Sequence, residues 1–439
     1  MMSRYQEYKE SGFQWVGKMP SHWNIIRHKY IFKKVQRIAG ERSKEYDVMS
    51  LTMRGVIKRD VESNIGKMPA SFDGYQIIQP DSLLLCLFDI DVTPRTIGYV
   101  TQEGITTAAY TNIETIVSDI YLKYYYYWFL MLDMDKTLLH MSKNLRNSIG
   151  NAEFMALSTI VPTFEEQKKI CVFLDSKLNN INQLIDFKLK LINKLEEKRQ
   201  SMITEAVTKG LNPNVKMKNS GVEWVGEIPD HWKKTRLDFI ARVKARLGWK
   251  GLKAEEYVDK GHIFLSTPNL KGRYIDFKNV NYITEERYLE SPEIMLEKGD
   301  VLLAKDGSTL GITNVVRELP AKATVNSSIA VLRPNELIDS IYFYYYLSST
   351  YIQDIINQIK DGMGVPHLFQ ADIKKFPIIL PPLCEQKEIV KYIDEQVENL
   401  DSLIETIKVQ VQKLKGYRQS LIYEAVTGKI DVRDFEIKA

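Results

Sequence analysis

Two clusters of basic side chains are the residues of this sequence best suited to binding an anionic partner. Between positions 233 and 253 there are eight basic residues, diluted only by Asp238. The counterpart near the start of the chain consists of Arg27, Lys29, Lys33, Lys34, Arg37, Arg42 and Lys44. Such clusters neutralise phosphates, although one alone is equally typical of a solvated helix face. Two clusters at matching places favour nucleic-acid binding.

Base edges are read by side chains with forked donors or acceptors, which loops can present in the major groove. Loop context adds Arg54, Arg95, Arg146 and Asn147 in the first half of the chain, and several residues, Asp306 among them, in the second. The full set of candidate DNA-contacting residues is Lys33, Lys34, Arg37, Arg42, Arg54, Arg95, Arg146, Asn147, Arg242, Lys244, Arg246, Lys250, Asn269, Lys271, Arg273, Lys305, Ser308 and His367.

The catalytic and metal-binding motifs that the sequence partly resembles are all incomplete. The segment 12–18 imitates a phosphate-binding loop, but Met19 follows it where a magnesium-binding Ser or Thr is needed. The three cysteines form no CxxC pair, which argues against a structural zinc and against a disulfide framework. His22 and His231 lie in a repeated Pro-x-His-Trp motif, where we expect hydrogen-bonded structural roles. We therefore predict no catalytic, metal or cofactor site in this chain.

An internal repeat must position the candidate residues. Residues 11–23 and 220–232 are identical at eight of thirteen positions, including both tryptophans, both glycines, the proline and the histidine. A second block recurs at 162–208 and 381–427, with Glu-Gln-Lys near its start and Glu-Ala-Val-Thr at its end. The regions between the blocks, 24–161 and 233–380, differ in length and sequence. The chain is therefore two similar frames carrying two dissimilar inserts.

The second block predicts a long helix with a heptad seam, because apolar residues recur in steps of three and four without an internal proline. The seam residues are Leu174, Leu178, Ile181, Ile185, Ile192, Leu195, Ile393, Val397, Leu400, Ile404, Ile407, Val411 and Leu414. Lys188 and Arg199 interrupt the first seam, and Arg199 occupies the same step as Arg418 in the second. Two separate amphipathic helices would explain the pattern, but we favour an antiparallel pair.

The inserts predict a mixed α/β fold. Short apolar strands are expected at 82–88 and 300–304, each after an Asp-containing turn. Segments 51–57 and 269–275 both predict a strand, a glycine turn and a second strand. The tyrosine-rich runs 121–128 and 342–346 predict helices buried against a sheet rather than base-stacking surfaces, because their aromatics do not alternate with basic residues.

Composition limits the class of protein. The 439 residues allow two or three domains, and 44% hydrophobic residues exclude wholesale disorder. The net charge of +4, from 60 basic and 56 acidic residues, requires any nucleic-acid role to rest on local patches. Cysteine usage, the polar N-terminus and the lack of a long apolar stretch predict a cytoplasmic location with no membrane contact.

The two repeated blocks resemble the specificity (S) subunits of type I restriction–modification systems. The resemblance rests on Ser-Gly-x-x-Trp-Val-Gly-x-x-Pro-x-His-Trp at 11–23 and 220–232 and on Pro-x-x-x-Glu-Gln-Lys-x-Ile at 162–170 and 381–389. It also rests on Arg-Gln-Ser-x-Ile-x-Glu-Ala-Val-Thr at 199–208 and 418–427. The resemblance implies a non-catalytic DNA-specificity subunit in which each of two target-recognition domains reads half of a bipartite site.

The resemblance also implies partners and cofactors. Two modification (M) subunits that use S-adenosylmethionine would dock on this chain, and two restriction (R) subunits that use ATP and Mg would join them. No cofactor is expected in this chain.

The predicted fold class is α/β (α+β), with two globular target-recognition domains separated by two long antiparallel helices that form a coiled-coil spacer, related by a pseudo-twofold repeat. The predicted segments are a first domain (1–161), a first helix (162–209), a linker (210–232), a second domain (233–380), a second helix (381–428) and a tail (429–439). By the symmetry of the repeat, the motif at 11–23 should lie beside the end of the second helix, near Thr427, so that the chain closes on itself.

Two other functions compete with DNA specificity. A coiled-coil adaptor could join two protein partners without reading DNA, although the paired basic clusters argue against it. A self-sufficient nuclease or methyltransferase would require a catalytic motif that we do not find.

Overall fold

The computed structural model describes residues 3–61, 69–141, 147–222, 225–246, 252, 254–361 and 366–436. Within these ranges the chain forms two units. Unit 1 contains residues 1–189 and 409–439, and unit 2 contains residues 190–408. Each long helix therefore gives one part of its length to unit 1 and the other part to unit 2.

Unit 1 is built on an antiparallel sheet whose strands run in the order β10-β9-β12-β4. The strands of unit 1 are β1 (Tyr8–Glu10), β2 (Lys18–Pro20), β3 (Asn24–Arg27), β4 (Phe32–Val35), β5 (Arg37–Ile38), β6 (Met49–Thr52), β7 (Gly55–Lys58), β8 (Gln76–Ile78), β9 (Leu83–Leu85), β10 (Ile97–Tyr99), β11 (Gly104–Thr106), β12 (Thr111–Thr115) and β13 (Ser158–Val161). Its helices are α1 (Leu122–Met134), α2 (Asn151–Ala156) and the first part of α3 (Phe164–Lys209).

Unit 2 has a corresponding sheet with the strand order β17-β23-β20-β21. The strands of unit 2 are β14 (Met217–Asn219), β15 (Glu227–Pro229), β16 (Lys233–Arg236), β17 (Ala241–Lys244), β18 (His262–Leu265), β19 (Asn281–Ile283), β20 (Val301–Ala304), β21 (Thr313–Val315), β22 (Ala323–Val325), β23 (Ile329–Pro334) and β24 (Pro377–Leu380). The remaining helices are α4 (Leu237–Ile240), α5 (Glu285–Leu289), α6 (Ser340–Leu347), α7 (Thr350–Asp361), α8 (Gln370–Lys374) and α9 (Leu383–Val426).

The mixed α/β fold class is confirmed, and the predicted apolar strands are present as β9 and β20. Both strands are fully buried, which explains their unbroken apolar sequence. The predicted strand–turn–strand at 51–57 is the hairpin β6–β7. Gly55 has a φ of 105° at the turn, a conformation that favours glycine.

The same prediction is wrong at 269–275. The structure has a 3-10 turn at Thr267–Leu270 and no strand in that described segment. Asn269 is the cause, because its side-chain oxygen accepts hydrogen bonds from both the backbone N–H and the hydroxyl of Ser266, each at 2.9 Å. Its amide nitrogen donates to the carbonyl of Asn279 at 2.7 Å. A side chain that bonds to nearby backbone in this way stabilises a turn at the expense of a strand.

The tyrosine-rich runs form helices α1 and α6, which confirms the prediction of buried helices. The Tyr124 hydroxyl donates to the carbonyl of Val426 at 2.8 Å, and the Tyr342 hydroxyl donates to the carbonyl of Val207 at 3.0 Å. Burial raises the pKa of both phenols well above the ordinary value, so each stays a neutral donor. Each unit therefore ties its tyrosine helix to the last turn of a long helix.

The long helices pair antiparallel within each unit, as predicted. In unit 1, a single core contains Leu174, Leu178, Ile181 and Ile185 of α3 together with Val411, Leu421 and Ile422 of α9. In unit 2, Ile192 and Leu195 pack with Ile404 and Ile407, while Ile203 and Val207 share a core with Ile393 and Val397. Leu400 and Leu414 are partly buried. The start of each helix thus packs against the end of the other.

The two polar interruptions of the first seam bridge the paired helices. Lys188 donates to the side-chain oxygen of Gln410 at 2.6 Å in unit 1. Arg199 forms an ion pair with Asp401 at 2.6 Å in unit 2. Both side chains therefore link the two helices that they could have disrupted. No described helix is long and apolar enough to cross a membrane.

Candidate nucleic-acid interface

The repeated His-Trp dipeptide anchors each unit to the start of its long helix. In unit 1, Glu166 accepts hydrogen bonds from the ring Nε2 of His22 at 2.9 Å and from the indole of Trp23 at 3.3 Å. In unit 2, Glu385 is bonded to His231 at 2.7 Å and to Trp232 at 2.8 Å. The structural role expected for the two histidines is confirmed.

The buried Glu166 carboxyl shows the electrostatics of this anchor. Burial alone would raise its pKa, but hydrogen bonds from Thr163, His22 and Trp23 outweigh that effect and hold the pKa below its ordinary value. The carboxylate is therefore charged at neutral pH.

The residue after each of these glutamates holds the tyrosine helix. The side-chain oxygen of Gln167 accepts from the backbone N–H of Tyr121 at 2.8 Å, and that of Gln386 accepts from the N–H of Asp339 at 2.7 Å. Sequence reasoning did not assign this role. The signal was available, since Glu-Gln recurs after His-Trp in both copies, with 144 residues from His22 to Glu166 and 154 from His231 to Glu385.

The N-terminal motif lies beside the end of α9 within unit 1, as predicted from the repeat. The Tyr423 hydroxyl donates to the carbonyl of Trp15 at 3.1 Å, and the Lys429 ammonium donates to the carbonyl of Val16 at 2.8 Å. An isolated bridge joins Ser3 to Asp431. Both ends of the chain therefore belong to one unit.

The frames hold two pairs of loops in the same manner. In unit 1, the loop after β9 joins segment 147–149, because Ile149 N–H donates to the Leu87 carbonyl at 2.8 Å and Ile90 N–H donates to the Asn147 carbonyl at 3.1 Å. In unit 2, the loop after β20 joins segment 366–369 through Leu368 N–H to the Lys305 carbonyl at 2.8 Å and Gly307 N–H to the Pro366 carbonyl at 3.1 Å. We call these the reading loops, 86–95 with 147–149 and 305–311 with 366–369.

The side chains on the two reading loops differ in chemistry. Unit 1 presents Phe88, which stacks on Tyr110 at 6.1 Å between ring centroids, and Val92, which is 74% exposed. Unit 2 presents a charged group, in which Asp306 pairs with both Lys305 and His367. Unit 1 also exposes Asp89 and Asp91 there, and unit 2 also exposes Phe369. Equivalent backbone thus carries different side chains in the two units.

In unit 1 the basic candidates lie on exposed parts of the sheet and on loops. Lys33 and Lys34 are exposed on β4, and Glu114 pairs with Lys33 at 3.5 Å and with Arg37 at 3.0 Å. Arg42 pairs with Glu45 at 3.0 Å. Exposed ion pairs of this kind are weak and can exchange for phosphate.

The loop candidates of unit 1 fall in two places. Arg54 is exposed at the tip of the β6–β7 hairpin, beside Met53. Arg95 is mostly buried at the end of its reading loop and lies 3.5 Å from Asp133. Asn147 belongs to the reading loop itself, with a φ of 47° that asparagine tolerates. Arg146 lies outside the described residues.

In unit 2 the structure brings Lys305, Ser308 and His367 together on the reading loops. Arg242 is exposed and Lys244 partly exposed on β17, and Lys271 is exposed on a loop. Arg273 is bonded to Asp394 at 3.2 Å. Lys250 lies outside the described residues.

Two candidates of unit 2 are corrected by the structure. Asn269 is buried and its amide is fully used in the 3-10 turn, so it cannot read a base. Arg246 is 9% exposed and donates to the Ser291 hydroxyl at 3.1 Å. Burial and the nearby Arg287 lower the pKa of Arg246, so this residue is an interior cation rather than a surface contact for phosphate.

Comparison with known proteins finds a matching family model and several similar proteins. The family described as "Type I restriction modification DNA specificity domain" matches residues 229–413. The type I restriction enzyme MjaVIII specificity subunit of Methanocaldococcus jannaschii is 23% identical over 98% of this chain and 98% of its own length. The chain is therefore similar to type I restriction–modification specificity subunits over nearly its whole length.

A further relative is similar over part of the chain, and two solved structures share its fold. The EcoKI specificity subunit of Escherichia coli is 23% identical over 48% of this chain and 46% of its own length. A chain from a structure described as concerning complex assembly and conformational transition of the type I R-M system shares the fold, with a TM-score of 0.71, 15% identity and coverage of 94% and 99%. The HsdS subunit of Thermoanaerobacter tengcongensis matches with a TM-score of 0.51, 15% identity and coverage of 94% and 98%.

Proposed function

We propose that this specificity subunit reads a bipartite duplex DNA site, with one half-site read by each unit. The contrast between framework and reading loops carries the proposal. His-Trp, Glu-Gln and the tyrosine helix make the same hydrogen bonds in both units, whereas the reading loops present different side chains on equivalent backbone. Two copies of one frame that carry different reading loops are what recognition of two different half-sites would require. Phosphate contacts from the exposed basic residues would position each reader.

We propose that the long helices set the spacing of the half-sites and dock two M subunits, which two R subunits then join. The helices run without interruption over 46 and 44 residues, a property that suits a spacer. Their outer faces expose Leu184 and Phe187 in unit 1 and Leu403 in unit 2. Apolar side chains that protrude from a helix pair are typical of protein docking surfaces.

We propose that S-adenosylmethionine acts in the M subunits and that ATP and Mg act in the R subunits, so that this chain holds no cofactor. The family assignment supports this division of labour, and it also supports action on DNA in the bacterial cytoplasm.

The decisive experiment is a binding assay with the chain assembled with its M subunits. Mapping methylated adenines with and without this gene identifies both half-sites and the spacer. We expect tight binding of a duplex that carries the mapped site and weak, salt-sensitive binding of a scrambled duplex. Equal affinity for both duplexes would contradict the proposal.

The coiled-coil adaptor is separated from DNA specificity by the same assay. An adaptor would assemble with its protein partners and show no discrimination between the mapped and the scrambled duplex. A self-sufficient enzyme would modify or cut DNA when the chain alone is supplied with magnesium and S-adenosylmethionine, and we expect no such activity.

A further inference from the structure

A groove in unit 1 is lined by more basic than acidic side chains. It encloses about 440 Å³ and runs between the hairpin tip, the end of α1 and residues 412–419 of α9. Its basic lining residues are Arg95, Lys136, Lys415 and Arg418, whereas Asp133 is the one carboxylate that lines this groove among the described residues. Asp133 lies 3.5 Å from both Arg95 and Lys136, so a single buried carboxylate serves two cations.

Arg418 is a partly buried cation of this groove whose hydrogen bonds are incomplete. One guanidinium nitrogen donates to the uncharged side-chain oxygen of Asn182 at 2.9 Å. Its Nε is buried and has no hydrogen-bond partner among the described residues, as is also true of one terminal nitrogen of Arg95. Burial and the nearby Arg95 lower the pKa of Arg418. A guanidinium in these surroundings is stabilised when an anion completes its hydrogen bonds.

Unit 2 contains the same pair of positions with a different outcome. In the repeated helix block, Arg199 corresponds to Arg418 and Asp401 corresponds to Asn182. Arg199 is bonded to the Asp401 carboxylate at 2.6 Å, so its charge is satisfied inside the protein. The substitution of an amide for a carboxylate therefore leaves the cation of unit 1 available to an external anion.

We propose that the groove around Arg418 binds a phosphate of the duplex DNA backbone, so that the helix pair of unit 1 contacts DNA directly. The inference rests on the proposed function and extends it from the reading loops to a long helix. Two guanidinium groups, two ammonium groups and the amides of Gln412 and Gln419 line the groove, which suits a phosphate ester. Arg54 of the β6–β7 hairpin lines the adjoining groove together with Arg95 and Arg418. Asp175 and Asp186 also line it, so this second groove holds three guanidinium groups and two carboxylates.

The test uses the chain assembled with its M subunits and compares Arg418→Gln with Asn182→Asp. The first change removes the cation, and the second supplies the carboxylate that unit 2 already has. We expect each to lower affinity for the mapped and the scrambled duplex by the same factor, on the order of threefold to tenfold, because phosphate contacts carry no sequence information. Each should also reduce the slope of log affinity against log salt by about 0.9, the value for one phosphate.

Matched changes in unit 2 provide the controls. Arg199→Gln should leave affinity and salt slope unchanged, because Arg199 is already paired. Asp401→Asn releases Arg199 and should increase the slope. A scan of duplexes with single neutral methylphosphonates should locate one phosphate whose neutralisation weakens the wild-type complex and has no effect on Arg418→Gln.

Three results would overturn the inference or its basis. One result is unchanged affinity and unchanged salt slope in both Arg418→Gln and Asn182→Asp, in a complex that still discriminates the mapped site. It would exclude the phosphate contact and leave the proposed function intact. Failure of the wild-type complex to discriminate would instead refute the proposed function. Loss of M-subunit assembly with normal DNA binding by the assembled fraction would assign the groove to a protein carboxylate. Asn182→Asp keeps the test decisive if Arg418→Gln fails to fold.

Discussion

Unit 1 and unit 2 are two copies of one frame that differ in the side chains of their loops and in one pair of helix residues. The hydrogen bonds that join the His-Trp motif, the long helix and the tyrosine helix recur in both units, and their lengths agree to within 0.5 Å. The reading loops and the Asn182–Arg418 and Asp401–Arg199 pairs differ in charge. The comparison teaches that buried contacts between distant segments maintain the same frame in both units. The exposed side chains on that frame can differ without disturbing it, and such differences are what the recognition of two different half-sites would require.

The largest expected effect tests whether equivalent buried contacts contribute equally to the free energy of unfolding of the two units. Trp23→Ala and Trp232→Ala each remove a fully buried indole and should each lower the free energy of unfolding of the unit concerned by about 3–5 kcal/mol. Calorimetry of the two variants measures the loss. A loss of unfolding free energy in only one of the two variants would show that equivalent contacts contribute differently to the stability of the two units.

The next effect separates the two glutamate anchors. Glu166 is 4% exposed, whereas the side chain of Glu385 is 33% exposed. Glu166→Gln should cost about 1.5–3 kcal/mol, because charged hydrogen bonds in a buried site are lost, and Glu385→Gln should cost less. Urea unfolding of both variants tests the difference, and an equal cost would contradict it.

The pH dependence of unit 1 follows from the lowered pKa of Glu166. Its contribution to stability is present above the pKa of the unfolded carboxyl, about 4.3, and is lost as the pH falls through the lower folded value. Wild-type protein should therefore lose stability below about pH 4.3 more steeply than Glu166→Gln. Thermal unfolding between pH 3 and 6 measures this, and parallel curves would exclude the linkage.

Changes in the reading loops should act on one half-site each. His367→Ala in unit 2 should relax recognition in one half of the site by about 1 kcal/mol, and Asn147→Gly in unit 1 should do so in the other half. Glycine preserves the left-handed backbone at 147. Methylation of duplexes with single base changes measures the effect. Relaxation of both halves by one substitution would refute the assignment of one half-site to each unit.

The smallest effect concerns the exposed ion pairs of unit 1. Glu114→Gln frees Lys33 and Arg37 and should strengthen binding to any duplex by less than about 1 kcal/mol, with a steeper salt dependence. Lys216 pairs with Asp230 at 3.6 Å in unit 2, so Asp230→Asn is a control at a more exposed pair outside the proposed interface. A gain in sequence discrimination from Glu114→Gln would contradict a purely phosphate-directed role.

The frame was predictable from the sequence because its signals recur. The repeat located the long helices to within two residues at their starts, and it placed residues 11–23 beside the end of α9. The anchors at Glu166 and Glu385 could also have been found, because His-Trp and Glu-Gln recur together.

The ligand-facing sites were less predictable, since burial and partners depend on contacts between distant segments. Arg246 and Asn269 have the residue types of DNA contacts but are buried, and the cap at Asn269 depends on a backbone carbonyl ten residues away. The groove around Arg418 is formed by three segments that are distant in sequence. The heptad pattern indicated only that an arginine interrupts the apolar seam of the second helix.

Unit 2 is one continuous stretch of chain, whereas unit 1 needs residues 1–189 and the final segment 409–439 together. During synthesis, all of unit 2 is made before residues 409–439 of unit 1 exist. The bonds from Tyr423 and Lys429 to the carbonyls of Trp15 and Val16 can form only after residue 429 has been made. A nascent chain truncated before residue 409 would contain all of unit 2, whereas its unit 1 would lack the part of α9 that accepts the Tyr124 hydrogen bond.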